Sequence, residues 1–307
     1  WGPRLGWAEA AWPAVFHAVS AFCNAGFSTF TDSMIGFQRA PLTLLVVGAL
    51  VVAGGLGFLT MEELLLRAQA RRRRQRPTRI SLHSRLVLAT TAVLLALGWL
   101  LFALSEWSGA LAPLSPLHRA VNALFLSVTP RTAGFNNVDY AQASDATNFL
   151  TILFMFVGGS PGSTAGGIKT TTLALVGLLA WARVRGREVA SAGHRSVPEE
   201  TVQRAVGLAA VAFAVVTAGI LALTWTEARH GAQGAFLGHM FEAVSAFNTV
   251  GLSMGVTDDL SPAGRGVAIG LMFVGRVGPL AFAAALAAAA RSRGPDYRYA
   301  YEDVVVG

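Results

Sequence analysis

A chain of 307 residues that is 53% hydrophobic and 13% charged, with a mean hydropathy of +0.52, is too apolar for an ordinary soluble domain, where about a quarter of residues carry charge. Its 33 glycines and 12 prolines follow no three-residue period, which excludes collagen, and its one cysteine, Cys23, excludes an internal disulfide framework or a zinc cluster of thiolates. The net charge of +7 is carried by arginine apart from Lys169, and its distribution, rather than its sum, bears on possible partners.

In chain order the predicted elements alternate between long and short apolar segments. A short one near Trp12 to Cys23 is followed by a long run from Pro41 to Leu59 and, after a basic stretch, another from Leu86 to Leu104. A second short segment, Leu117 to Val128, precedes an interrupted run from Phe149 to Trp181. Beyond a second basic stretch lie a run from Gly207 to Trp225, a third short segment from Leu237 to Phe247, and a last run from Gly266 to Ala290. The five long runs are predicted to be membrane-spanning helices, since roughly 20 residues cross about 30 Å of hydrocarbon and lipid leaves free backbone groups without partners. The short segments, 11 or 12 residues each, reach only ~18 Å at 1.5 Å per residue and are predicted to dip in and return.

Sixteen of the basic residues fall in stretches 67–85, 183–204 and 291–298, against six on the opposite side: Arg4, Arg39, Arg119, Arg131, Arg229 and Arg265. The positive-inside rule makes the Arg-rich stretches cytoplasmic, with the chain in the cytoplasmic (inner) membrane and the short segments entering from outside. Orientation and anionic lipid already explain the run Arg71 to Arg74, so the lipid bilayer, and not nucleic acid, is the expected partner. The chain opens at Trp1 with no Met, charged n-region or cleavage site, and is expected to be the C-terminal part of a longer product.

One pattern occurs three times: Ala21 to Ser28 (AFCNAGFS), Ser127 to Asn136 (SVTPRTAGFN) and Ala246 to Ser253 (AFNTVGLS). Each copy follows a short apolar segment and precedes a long one, with glycines at 26, 134 and 251. Glycine readily takes the positive φ that turns successive carbonyls toward one axis, and rings of carbonyls replace an ion's hydration shell. Three short helices ending at one place would add partial negative charge there, favouring a cation. The expected ion filter is therefore Asn24, Ala25, Gly26 and Phe27, with Thr132, Ala133, Gly134 and Phe135, and with Thr249, Val250, Gly251 and Leu252. The six histidines form no metal-ligand pattern, so no metal site is expected away from this filter.

The third long run breaks at Gly158, Gly159, Ser160, Pro161, Gly162, Ser163, Thr164, Ala165, Gly166 and Gly167, which cannot be helix throughout. Non-helical backbone at membrane depth lines a cavity or is buried by protein, so this segment is expected to be a flexible plug acting as a gate, with Lys169 and Arg276 as its charged neighbours. Arg276 lies near the middle of the last run, where an unpaired charge costs at least ~2.5 kcal/mol; it should face the pathway, or pair with Glu62, Glu63 or a carbonyl. Two enzyme motifs nearly fit. Gly162 to Lys169 departs from the phosphate-binding loop by one residue, Ile168. Gly158 to Gly162 satisfies GxSxG, but without the strand-turn-helix setting that a membrane serine hydrolase would need around Ser160. No enzymatic activity is expected.

With the three loops, the broken helix and the intramembrane arginine in hand, the chain resembles the Trk/Ktr/HKT superfamily of potassium transporters, most like the bacterial Trk and Ktr membrane subunits. The match is carried by SVTPRTAGFN, by GGSPGSTAGGIKTTT at Gly158 to Thr172, by AFNTVGLS, and by a chain end, Tyr301 to Gly307, like that family's. The resemblance implies an all-α membrane protein of repeated helix, re-entrant pore-helix with filter loop, and helix units around a pseudo-fourfold pore. It implies potassium uptake through one glycine per repeat, gated by the loop at 158–167, with Arg276 in the last helix below the filter. It also implies homodimers on cytoplasmic nucleotide-binding regulatory subunits of the RCK/KTN type, and no organic cofactor. Residues 1–66 then hold the second unit without its outer helix, 67–85 a basic cytoplasmic loop, 86–183 the third unit, 184–202 a cytoplasmic loop, and 203–307 the fourth unit and tail. Because the first unit is missing, a non-transporting sensor or scaffold subunit is the alternative.

Overall fold

Helix starts follow local chemistry. Ser81, Ser144 and Ser261 each accept the amide three residues on, from Ser84, Thr147 and Gly264, at 3.1–3.2 Å, and Pro41, Pro116 and Pro262 stand in the first helical turn, where a missing N–H costs nothing. The computed structural model describes residues 6–76, 79–187, 189–192, 195–228 and 236–278. Among them the helices are α1 (Trp7–Phe22), α2 (Pro41–Gly55), α3 (Phe58–Arg72), α4 (Leu82–Glu106), α5 (Pro116–Val128), α6 (Asp145–Met155), α7 (Thr170–Val184), α8 (Glu199–Ala228), α9 (Phe236–Asn248) and α10 (Pro262–Val277). A 3₁₀ turn at Ile35–Phe37 and a two-stranded antiparallel pair, β1 (Ser191–Ala192) and β2 (Arg195–Ser196), complete the chain order.

α4 and α8 are each long and apolar enough to cross a membrane by length and composition. Their outward residues are large and apolar, including Leu97, Leu100, Leu104, Phe213, Leu221 and Trp225, a surface suited to lipid rather than water. One core packs α6, α9 and α10 between them; a second joins α1, α2 and α5 through Leu44, Val47, Val51, Phe125 and Phe135. The long and short helices are tied alike in both halves. Glu106, buried at the end of α4, accepts the Ser144 N–H (3.1 Å) and hydroxyl (2.8 Å) at the start of α6; Glu227, buried at the end of α8, accepts the Ser261 N–H (3.1 Å) and hydroxyl (2.8 Å) at the start of α10. A carboxylate at a helix N-terminus also meets the positive end of its dipole.

Several expectations need adjustment. The run from Pro41 to Leu59 is not one helix: it bends by 106° between α2 and α3, and α3 extends through Arg72, into the stretch read as a basic loop. The bend falls at Leu56-Gly57, where Gly57 has φ 80° and its backbone abuts the Pro161 carbonyl. The first short segment is a 16-residue helix, four residues longer than expected, whereas α5 and α9, at 13 residues each, exceed the expected length by only one or two. The interrupted run resolves into α6 and α7, 11 and 15 residues long. Cys23, at the end of the first short segment, caps α1 and is exposed. The end of the last run, the stretch 291–298 and the chain end at 301–307 lie outside the described residues.

Candidate ion pathway

The three glycine loops share a backbone conformation. Gly26, Gly134 and Gly251 have φ of 71°, 76° and 87°, and two residues before each stands a non-glycine residue that is also left-handed: Asn24 (49°), Thr132 (66°) and Thr249 (52°). For a β-branched threonine that is a strained conformation, held by its surroundings. The loops also meet. A Cβ on Gly26 would lie 2.7 Å from the Ala133 carbonyl and 3.0 Å from the Gly134 Cα, and one on Gly134 would collide with the Val250 carbonyl. Gly26 and Gly134 are thus each applied to the carbonyl preceding the next loop glycine, and the C-terminal ends of α1, α5 and α9 converge. A cavity of about 630 Å³ opens beside Ala25, Phe27, Gly251, Leu252 and Arg276, between the first and third loops.

Each helix leading to a loop also carries a polar residue that holds the far side of it. His17 Nδ1 faces the Pro13 carbonyl at 2.7 Å, which only accepts, so Nδ1 carries the proton and Nε2 faces the Ser28 hydroxyl at 2.9 Å. Glu242 accepts the hydroxyls of Ser253 (2.9 Å) and Thr257 (2.8 Å). In the middle copy Asn137 Nδ2 donates to Asn122 Oδ1 at 3.0 Å. His17 and Glu242 stand nine residues before their glycines, and Ser28 and Ser253 two residues after. That matched spacing is a repeat signal in the sequence, hidden by the change of residue type.

The segment 158–169 crosses all three loops on the helix side of their glycines. A Cβ on Gly158 would lie 3.3 Å from the Thr132 methyl; one on Gly166 would collide with the Thr249 hydroxyl, and one on Gly167 with the Asn248 side chain. Thr164 Oγ1 donates to the Phe22 and Gly54 carbonyls at 3.3 and 3.4 Å. Ser160, Ala165 and Thr170 are buried. The backbone is pinned by Gly158 N–H to Ile168 O (2.8 Å), Ser160 N–H to Gly55 O (2.9 Å), Thr170 N–H to Gly159 O (3.0 Å) and Phe58 N–H to Gly162 O (3.1 Å). Ser160 Oγ meets Thr170 Oγ1 at 3.0 Å. The segment is therefore packed and bonded rather than loose, with Pro161 and Gly162 turning against Gly57 and Phe58.

Two cations hold consecutive carbonyls of that segment. Arg276 Nη1 donates to Thr164 O at 2.9 Å and Lys169 Nζ to Ala165 O at 2.7 Å. Among the described residues the one ion pair within 4.0 Å joins Arg204 to Glu200; of the partners considered for Arg276, the structure supplies the carbonyl, while Glu63 accepts the Ser81 N–H. Arg276 lies in the final turn of α10, and it borders the cavity. Arg131, assigned from charge counting to an outer surface, is buried beside the middle loop with Thr91 Oγ1 at 3.4 Å; a tally of sides says nothing about depth.

A second repeat accompanies the first. Gly54-Gly55, Gly158-Gly159 and Gly275-Arg276 stand 28, 24 and 24 residues after the loop glycines. A Cβ on Gly54 would collide with the Phe22 carbonyl and one on Gly275 with the Phe247 carbonyl; both carbonyls lie four residues before a loop glycine. The second glycine of the pair is replaced in the last copy by Arg276.

These features coincide with what comparison finds. Residues 6–292 match the family model for TrkH, described as a cation transport protein. The potassium/sodium uptake protein NtpJ of Enterococcus hirae is 40% identical over 306 residues, covering 99% of this chain and 66% of that protein. The Ktr system potassium uptake protein B of Bacillus subtilis is 36% identical over 307 residues, with 99% and 66% covered. The chain thus spans about two thirds of the length of these curated relatives. The crystal structure of the potassium transporter TrkH from Vibrio parahaemolyticus superposes with a TM-score of 0.69 at 20% identity, covering 89% of this chain and 58% of that one, a likeness of fold. With 287 consecutive residues under one family model, the chain belongs to the TrkH family of cation transport proteins.

Proposed function

We propose that this chain forms most of a potassium uptake pathway in the cytoplasmic membrane, with its Arg-rich stretches cytoplasmic. The observation that carries this reading is the contact of three left-handed glycine loops around one point, with the buried segment 158–167 bonded across them. Carbonyls of the Asn24–Phe27, Thr132–Phe135 and Thr249–Leu252 stretches replace water around K⁺, and helix C-termini aimed at the same place favour a cation. The segment closes the path, and Lys169 and Arg276 hold it there. The membrane potential, at ~2.3 kcal/mol per charge per 100 mV, drives accumulation. Units at 1–66, 86–183 and 203–307 each supply one loop, and by family likeness the protein works as a homodimer on nucleotide-binding cytoplasmic subunits. Relatives with potassium uptake in their names support the substrate.

The test is rubidium-86 uptake into potassium-starved cells lacking their own uptake systems, using the full-length protein with and without Gly134→Ser. Saturable uptake that Gly134→Ser alters supports the pathway. Membrane insertion without uptake in either form would instead favour a non-transporting sensor or scaffold.

A further inference from the structure

One residue at the end of each helix that leads to a glycine loop grips the chain on both sides of the glycine. In the first loop the Ser20 carbonyl accepts the Ala25 N–H at 2.9 Å, and the Ser20 hydroxyl donates to the Phe27 carbonyl at 2.8 Å. In the third, the Ser245 carbonyl accepts the Val250 N–H at 2.9 Å and its hydroxyl donates to the Leu252 carbonyl at 2.6 Å. In the middle loop, Thr129 accepts the Ala133 N–H at 3.0 Å and donates to the Phe135 carbonyl at 2.7 Å. All three residues are buried. Ser20 and Ser245 stand six residues before their glycines and Thr129 five; the shift of one conceals the set in an ungapped comparison of the three copies.

We propose that Ser20, Thr129 and Ser245 are positioning residues that set ion discrimination. A carbonyl that accepts a buried hydroxyl is fixed in direction and keeps a second lone pair, so the hydroxyl decides how that oxygen is presented to an ion. The same grip also spans the strained stretch. Left-handed Asn24, Thr132 and Thr249 persist only if their surroundings over-determine them, and a residue bonded to both flanks of the glycine does so. Without the hydroxyl the carbonyl after the glycine turns freely, the neighbouring carbonyls relax with it, and their spacing no longer distinguishes a larger from a smaller monovalent cation. This role rests on the uptake reading above.

The experiment compares rubidium-86 and sodium-22 uptake in the full-length protein, normalised to protein in the membrane, for Ser20→Ala, Thr129→Val and Ser245→Ala, alongside the hydroxyl-keeping Ser20→Thr, Thr129→Ser and Ser245→Thr. A single neutral hydrogen bond corresponds to about a three- to tenfold change, so each deletion should lower the rubidium-to-sodium ratio by about that factor, while the hydroxyl-keeping forms retain the parent ratio. A purely structural role would lower both fluxes together and leave the ratio alone; an unchanged ratio in the deletion variants overturns the proposal. A deletion variant missing from the membrane is replaced by Ser245→Cys, a weaker donor of similar size, for which an intermediate ratio is expected and the parent ratio counts against the brace. A parent protein without saturable rubidium uptake sinks the uptake reading itself, and is recognised before any variant is made.

Discussion

Arg276 and Thr164, separated by 112 residues in sequence, are joined by a 2.9 Å hydrogen bond from the guanidinium to the backbone carbonyl. That bond ties the end of α10 to the middle of the segment crossing the glycine loops. Charge-assisted hydrogen bonds are worth about 1.5–3 kcal/mol, enough to shift a closed population by about tenfold or more. Arg276→Gln should therefore raise rubidium uptake per molecule several-fold, because it frees the segment and removes a positive charge from the path. Uptake equal to the parent's would show that the bond does not restrain the segment.

Lys169 holds the adjacent carbonyl, Ala165 O, at 2.7 Å. Lys169→Met keeps the stem and removes the donor, and should give an increase of the same sign. Because both cations act on one short segment, the double variant should exceed either single one by less than the product of their effects. Independent multiplication in the same uptake assay would mean that the two residues act on different elements.

Gly54 and Gly275 let helices approach the Phe22 and Phe247 carbonyls so closely that a Cβ at either position would overlap backbone. Gly54→Ala and Gly275→Ala should each cost about 2 kcal/mol or more, as overpacking does. Gly177→Ala and Gly270→Ala, on helices with nothing within 4 Å of the added carbon, should be neutral or stabilising by up to about 1 kcal/mol. Thermal unfolding in detergent separates the two pairs, and an equal response from all four would contradict the described packing.

Glu106 receives the Ser144 amide and hydroxyl and the Ala110 amide (2.7 Å) while buried at the end of α4. Glu106→Gln preserves shape but turns an NH₂ toward donors, leaving buried groups without partners at about 1–3 kcal/mol. The expected result is a lowered unfolding temperature with the rubidium-to-sodium ratio unchanged. A change of ratio would place Glu106 in the pathway rather than in the scaffold.

Much of the arrangement was legible residue by residue. The short apolar segments at 117–128 and 237–247 correspond to α5 and α9 with only one or two residues added, the start of α5 being marked by Ser115 and Pro116. The three-copy pattern identified the loops because positive φ is a local property that a glycine advertises. Other features were hidden for definable reasons. The 106° bend interrupts an unbroken apolar run, with only the glycines at 54, 55 and 57 to signal it. Ser20, Thr129 and Ser245 are common residues whose register slips by one. Arg131 was placed by side and turned out to be buried, because hydropathy counting has no depth coordinate.

What the sequence determined by itself was periodicity and local conformation: which stretches are apolar and helical, and which loop glycines turn left-handed. Those properties depend on neighbours within a few bonds. Tertiary structure alone decided the partners: Phe22 against Gly54, Gly55 and Phe58 against the segment at 160–162, Arg276 against Thr164. Each of these contacts uses a backbone group, which every residue possesses. No side-chain pattern can announce it, and it arises only when packing brings distant chain segments within hydrogen-bond reach.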